Sequence, residues 1–207
     1  MTNDRIVLPM PAALTGLLLS EALERRRSIR RFAPGGLCLE DLSALLFAAQ
    51  GRTHAKGFRT APSAGALYPL EVCVAAGECS DLACGMYGYD PGGHALVKRV
   101  DGDRRGDLAA ACLNQAWMAQ AQAMVVISAV YDRITGRYGE RGVQYAHMEA
   151  GAASQNLALA AAAMGLGTVM VGAFRNSMVL QIIGAAEDET PLIVMPVGRT
   201  ARAYSKV

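Results

Sequence analysis

The chain has 207 residues, 52% of them hydrophobic and 18% charged, with a formal net charge of +2. This suits a single domain over 1–207 with a sizeable core, and argues against disorder and against a nucleic-acid partner. Five cysteines without a CxxC pair and three scattered histidines provide no zinc template, so no metal is expected.

In chain order, an apolar patch over 6–19 is broken by Pro9, Pro11 and Gly16 and lacks the basic lead of a signal peptide. No run approaches membrane-spanning length, so a cytoplasmic setting without a membrane partner is the expectation. Ser20 can cap a short helix running into Arg25, Arg26 and Arg27, with Glu21 and Glu24 near its positive end. A helix over 39–50 has Glu40 and Asp41 in its first turn, a stripe of Leu42, Leu45, Leu46 and Ala49, and Gly51 just beyond. The loop Pro62, Ser63, Ala64, Gly65 follows, stiffened by proline and freed by glycine, before a strand over 70–76.

Strands over 86–89 and 94–99 flank a turn at 90–93 and read as a hairpin. Residues 107–121 read as one helix carrying Trp117, and 124–130 as a buried strand. The span 144–164 predicts the longest helix, buried on most sides, with Glu149 its only charge and Gly165 as its terminal cap. A strand over 168–171, a helix over 177–183 and a strand over 192–197 complete the chain. Strands and helices mix without steady βαβ alternation, which favours an α+β fold.

Arg26, Arg27, Ser28, Arg30 and Arg31 form a dense basic cluster. Arginine forks suit phosphate, although basic runs are commonly solvated faces. Gly165 and Gly167 follow a helix and precede a strand, the reverse of a Rossmann phosphate loop. Gly172 ends the expected strand, where backbone can approach a ligand closely. Glu149, a lone carboxylate on an apolar helix, reads first as a group with an ion-pair or N–H partner. Tyr138, Arg141 and Tyr145 either line a pocket or pack.

Taken together, RRSIRRF (26–32), APSAGALYPLEV (61–72), the 115–117 segment, YGERGVQY (138–145), EAGAASQN (149–156) and GLGTVMVGAF (165–174) resemble the nitroreductase-like flavoproteins. The order is closest to the branch containing azoline (thiazole/oxazole) dehydrogenases. The resemblance implies a three-layer sandwich with a central mixed sheet, an intertwined homodimer with FMN at the interface, and residues 1–19 as an extension packing on the partner subunit. It implies that Arg26, Arg27, Ser28 and Arg30, with Arg199, hold FMN phosphate and the pyrimidine edge. Pro62, Ser63, Ala64 and Gly65 of the other subunit would cover the flavin, Gln115 would face it, and the backbone at Val171 and Gly172 would meet N5. Tyr138 is the candidate catalytic group. Azoline dehydrogenases are expected to use a Lys–Tyr pair, and Arg137–Tyr138 stands here instead. The implied activity is hydride transfer from NAD(P)H through FMN to a small-molecule acceptor such as a nitroaromatic or quinone, by a ping-pong cycle. The alternatives are oxidation of an organic substrate without NAD(P)H, or flavin binding without turnover.

Overall fold

The structure, a computed structural model, describes residues 5–11 and 17–200. Parts of the expected N-terminal extension, and the end of the chain beyond Thr200, lie outside the described residues. The elements in order are β1 (Arg5–Val7), α1 (Leu19–Arg25), α2 (Leu39–Gln50), β2 (Leu70–Ala76), β3 (Gly85–Asp90), β4 (Ala95–Asp101) and α3 (Arg105–Ala111). They continue with β5 (Ala123–Val130), α4 (Asp132–Tyr138), α5 (Arg141–Ala163), β6 (Leu166–Thr168), α6 (Asn176–Ile183) and β7 (Glu189–Arg199). Short 3-10 turns occupy Ala64–Ala66 and Ala116–Gln120.

The strands form one sheet of order β1-β4-β3-β2-β5-β7-β6. Its ladders are antiparallel throughout, so the expected mixed character is confined to two isolated parallel bridges, Ser28 with Thr168 and Leu37 with Cys79. Side chains alternate across the central strands and build a core on each face. Val72, Val74, Val125 and Ile127 pack with α2 and α5, whereas Cys73, Ala75, Met124, Val126 and Val194 pack with α3 and α6. Helix, sheet and helix therefore form the three layers of an α+β sandwich. Met124 and Ile127 are fully buried, each contributing about 1.5–3 kcal/mol by removing apolar area from water.

Several local expectations change. Ser20 lies inside α1, preceded by Leu18 in extended backbone with no side-chain cap. The helix expected over 107–121 breaks after Ala111, because Leu113 and Asn114 take φ of 57° and 58° and redirect the chain into the second 3-10 turn. The strand expected over 168–171 lies upstream in β6, and Val171 returns to the sheet through a single bridge with Val194. Helix α5 is buried against α2, yet Gln144, His147, Met148 and Gly151 remain exposed. Part of the expected extension pairs within its own chain, since β1 ladders onto β4.

Candidate functional site

Helix α1 ends at Arg25, and from Arg26 the chain leaves the helix and runs along β6. Ser28 bridges Thr168, and the Ile29 N–H donates to the Thr168 carbonyl at 3.0 Å. Gly167 permits this approach, because a Cβ there would lie 2.7 Å from the Ile29 side chain. The Arg27 guanidinium turns back to donate to the carbonyls of Glu24 (2.7 Å) and Arg26 (2.9 Å), closing the end of α1. Among the described residues, Arg26, Arg30 and Arg31 have no carboxylate partner. Beside them, the buried Thr168 hydroxyl has no hydrogen-bond partner.

Arg199 stands at the same end of the sheet but is engaged within the chain. Its guanidinium donates to Asp41 Oδ2 at 2.6 Å and to the Gly36 carbonyl at 3.3 Å. Its N–H donates to Gln122 Oε1 at 2.8 Å, while Gln122 Nε2 donates to the Ala33 carbonyl at 3.1 Å. Asp41 and Gln122 thus join α2, the 33–36 turn and β7. Neither stands out as a site residue in the sequence: Asp41 reads as an ordinary first-turn acid, and its partner is 158 residues away.

The Pro62–Ser63–Ala64–Gly65 loop is held by Glu149. The Ser63 hydroxyl (3.0 Å) and the Ala64 N–H (2.8 Å) both donate to Glu149 Oε1. Ser63 Oγ in turn accepts the Tyr68 N–H at 2.8 Å. Burial pushes the Glu149 carboxyl above its ordinary value, an effect these two donors and the positive charge of Arg59 oppose. The N–H partner expected for Glu149 is therefore present. Gly65 has φ of 63°, a left-handed conformation that favours glycine, and a Cβ there would lie 2.8 Å from the Tyr138 hydroxyl and 3.2 Å from Arg137 Nη1. Arg59 lies over the Tyr68 ring at 4.5 Å and donates to Gln50 Oε1 at 2.9 Å. It also lines a cleft with Arg52, Gly57, Pro91 and Gly92, apart from the expected site residues.

On the α3/α6 face, Val171 and Val194 exchange backbone hydrogen bonds of 2.9 Å. The following Gly172 is exposed, has open space where a Cβ would project, and its N–H meets no acceptor among the described residues. The Gln115 side-chain amide donates to the Cys112 carbonyl at 3.0 Å.

These groups do not converge within one chain. Thr168 pairs with Val197, which pairs with Ala123, which pairs with Ala76, so the arginine cluster lies at the Ala76 end of β2. The 62–65 loop leads into Leu70 at the other end. At 3.3 Å per residue the two ends of β2 are about 20 Å apart. Exposed apolar side chains gather near the start of the chain, with Val7, Met10, Leu18, Leu19 and Leu23 all more than half exposed.

The nitroreductase family model matches residues 23–199. A Methanocaldococcus jannaschii protein named as a nitroreductase is 44% identical over 197 residues, covering 95% of this chain and 98% of its own length. An NADPH-flavin oxidoreductase of Vibrio harveyi is 30% identical over 112 residues, about half of each chain. A Ralstonia eutropha crystal structure described as a nitroreductase superposes with a TM-score of 0.83 at 30% identity, covering 97% of this chain and 91% of that one.

Proposed function

The chain belongs to the nitroreductase family, and on that premise we propose that it is an FMN-dependent oxidoreductase passing hydride from NAD(P)H to a small electron acceptor, such as a nitroaromatic or quinone, by a ping-pong cycle. Bound FMN supplies a reversible hydride carrier, while the protein binds, orients and tunes it. The observation that carries this reading is the donor set around β6. Among the described residues, Arg26 and Arg30 have no carboxylate partner, and neither the Ser28 hydroxyl nor the Gly172 N–H has a hydrogen-bond partner. Guanidinium forks match the paired oxygens of a phosphate, and a lone N–H at an exposed strand end can donate to a ring nitrogen.

Arg26, Ser28 and Arg30 are the proposed phosphate and pyrimidine-edge ligands. Arg27 supports them by closing α1, and Arg199 acts through the turn it fixes with Asp41. Gln115, Val171 and Gly172 form the ring-facing edge. Because the 62–65 loop lies about 20 Å away along its own sheet, a second copy of the chain supplies Pro62, Ser63, Ala64 and Gly65 to each site. The exposed apolar residues of the first 23 positions provide surface for that homodimer. Tyr138, whose hydroxyl lies over Gly65, is the proposed proton donor to the acceptor.

Initial rates with NAD(P)H and a soluble quinone test the cycle. Parallel double-reciprocal lines, with two chains and two FMN per particle by sedimentation, support it. Intersecting lines, or a monomer that binds and turns over FMN, overturn it.

A further inference from the structure

Arginines without a carboxylate partner are unevenly placed along the chain. Arg5, Arg99, Arg104, Arg105, Arg133 and Arg199 each meet an acidic side chain. Arg133 begins a series of arginines four residues apart, continuing with Arg137 and Arg141. Arg133 is neutralised by Glu71 at 2.6 Å. Arg137 and Arg141 have no carboxylate partner among the described residues, although Asp132 and Glu140 are close in sequence.

Both residues are exposed, yet each guanidinium rests against an aromatic face. Arg137 lies over the Tyr138 ring at 5.5 Å, and Arg141 over the Tyr145 ring at 5.5 Å. The two rings meet edge to face, with centroids 5.2 Å apart. Arg141 also donates to Gln144 Oε1 at 2.6 Å. Arg137 Nη1 lies 3.2 Å from where a Gly65 Cβ would be, so the missing side chain leaves room for the guanidinium directly on the loop. A fork oriented by an aromatic face loses less freedom on binding a planar oxyanion.

We propose that Arg137, with Arg141 beside it, recognises a carboxylate on the substrate, so that the acceptor is an organic acid rather than a neutral molecule. The assignment rests on the reading of the 62–65 loop as the flavin cover, because that reading places Arg137 at the rim of the reacting face. Tyr138 and Tyr145 would offer the apolar edge that a flat ring attached to the acid would follow. This gives the Arg–Tyr dipeptide a role different from a Lys–Tyr pair, since arginine holds its proton throughout and acts as an anion anchor. The other anion able to reach this position is a dinucleotide phosphate, and the test separates the two.

The test titrates benzoate and benzamide, equal in shape and different in charge, into the FMN-loaded protein. Binding is read by calorimetry and by perturbation of the flavin absorbance. The proposal expects benzoate to bind roughly ten- to hundred-fold more tightly than benzamide, the range for a charge-assisted hydrogen-bonded pair. Arg137→Gln should abolish that preference and Arg137→Lys should restore part of it. Equal binding of the two probes, or a benzoate preference that survives in Arg137→Gln, overturns the proposal. If Arg137→Gln instead weakens only NADPH relative to NADH, the guanidinium serves the dinucleotide phosphate and the substrate assignment is wrong. Should Arg137→Gln fold poorly, Arg141→Gln carries the same comparison, with a smaller expected loss. Calorimetry does not require turnover, so benzoate selectivity in a protein that ignores NAD(P)H would defeat the reductase reading while leaving the anion site standing.

Discussion

Glu149 tests how the 62–65 loop is held. Its Oε1 accepts from the Ser63 hydroxyl and the Ala64 N–H, and the residue is 5% exposed. Glu149→Ala removes both acceptor contacts and leaves a small void. Each part-buried donor left unpaired costs about 1 kcal/mol, and the void about 1 more, so the expected loss is about 3 kcal/mol. Glu149→Gln keeps a carbonyl oxygen for both donors and should cost less than about 1 kcal/mol. The pH dependence follows from burial, which raises the folded-state pKa above the ordinary value of 4.5. The folded protein then binds this proton more tightly than the unfolded chain. The associated stabilisation is complete below that ordinary value and is lost as pH rises through the folded-state pKa. The glutamine variant lacks this slope and should gain on wild type as pH is raised from 4 to 7. Urea unfolding of the three proteins across that range measures both effects. Equal damage from alanine and glutamine would show that the charge, not the acceptor, holds the loop. A harmless alanine would show that the loop needs no anchor.

Arg26→Ala should weaken FMN binding roughly ten- to hundred-fold, the range for a charge-assisted contact to phosphate, with fluorescence titration of the stripped protein as the readout. Glu189 accepts from Ser128 Oγ at 2.6 Å, Arg99 at 3.1 Å and the Ala186 N–H at 3.2 Å. Glu189→Ala leaves these buried and half-buried donors behind and should cost about 3–5 kcal/mol in denaturant unfolding. Gly198→Ala would place a methyl inside van der Waals contact of Gln122 Oε1 and break the link that also positions Arg199. It should lower the melting temperature sharply and weaken FMN retention. A fully stable, FMN-replete alanine variant would mean that this turn tolerates a shift.

Local signals were readable where one element settled them. Helix α2 runs over Leu39–Gln50 as its first-turn acids, apolar stripe and following glycine indicate, and β2 runs over Leu70–Ala76 as its apolar run and preceding proline indicate. Helix α4 escaped notice because only Ile134 of its seven residues is buried, which leaves no stripe. The break comes where Leu113 and Asn114 take left-handed backbone angles, and the alanine-rich composition around them gives no sign of it. Among the candidate residues, Glu149 was recognisable as one needing a partner, and Ser63 and Ala64 supply the donors. The capture of Arg199 by Asp41 and the lodging of Arg137 over Gly65 depend on contacts across the fold, 158 and 72 residues apart in sequence, so no local pattern announces them.

The central claim is that this chain binds FMN and reduces it with NAD(P)H. The most direct measurement is the absorbance spectrum of the purified, FMN-reconstituted protein before and after anaerobic addition of NADH and NADPH. The account predicts a yellow protein whose flavin band bleaches with at least one of them. A protein that stays colourless after FMN is supplied, or a yellow one that neither nucleotide bleaches, would contradict it.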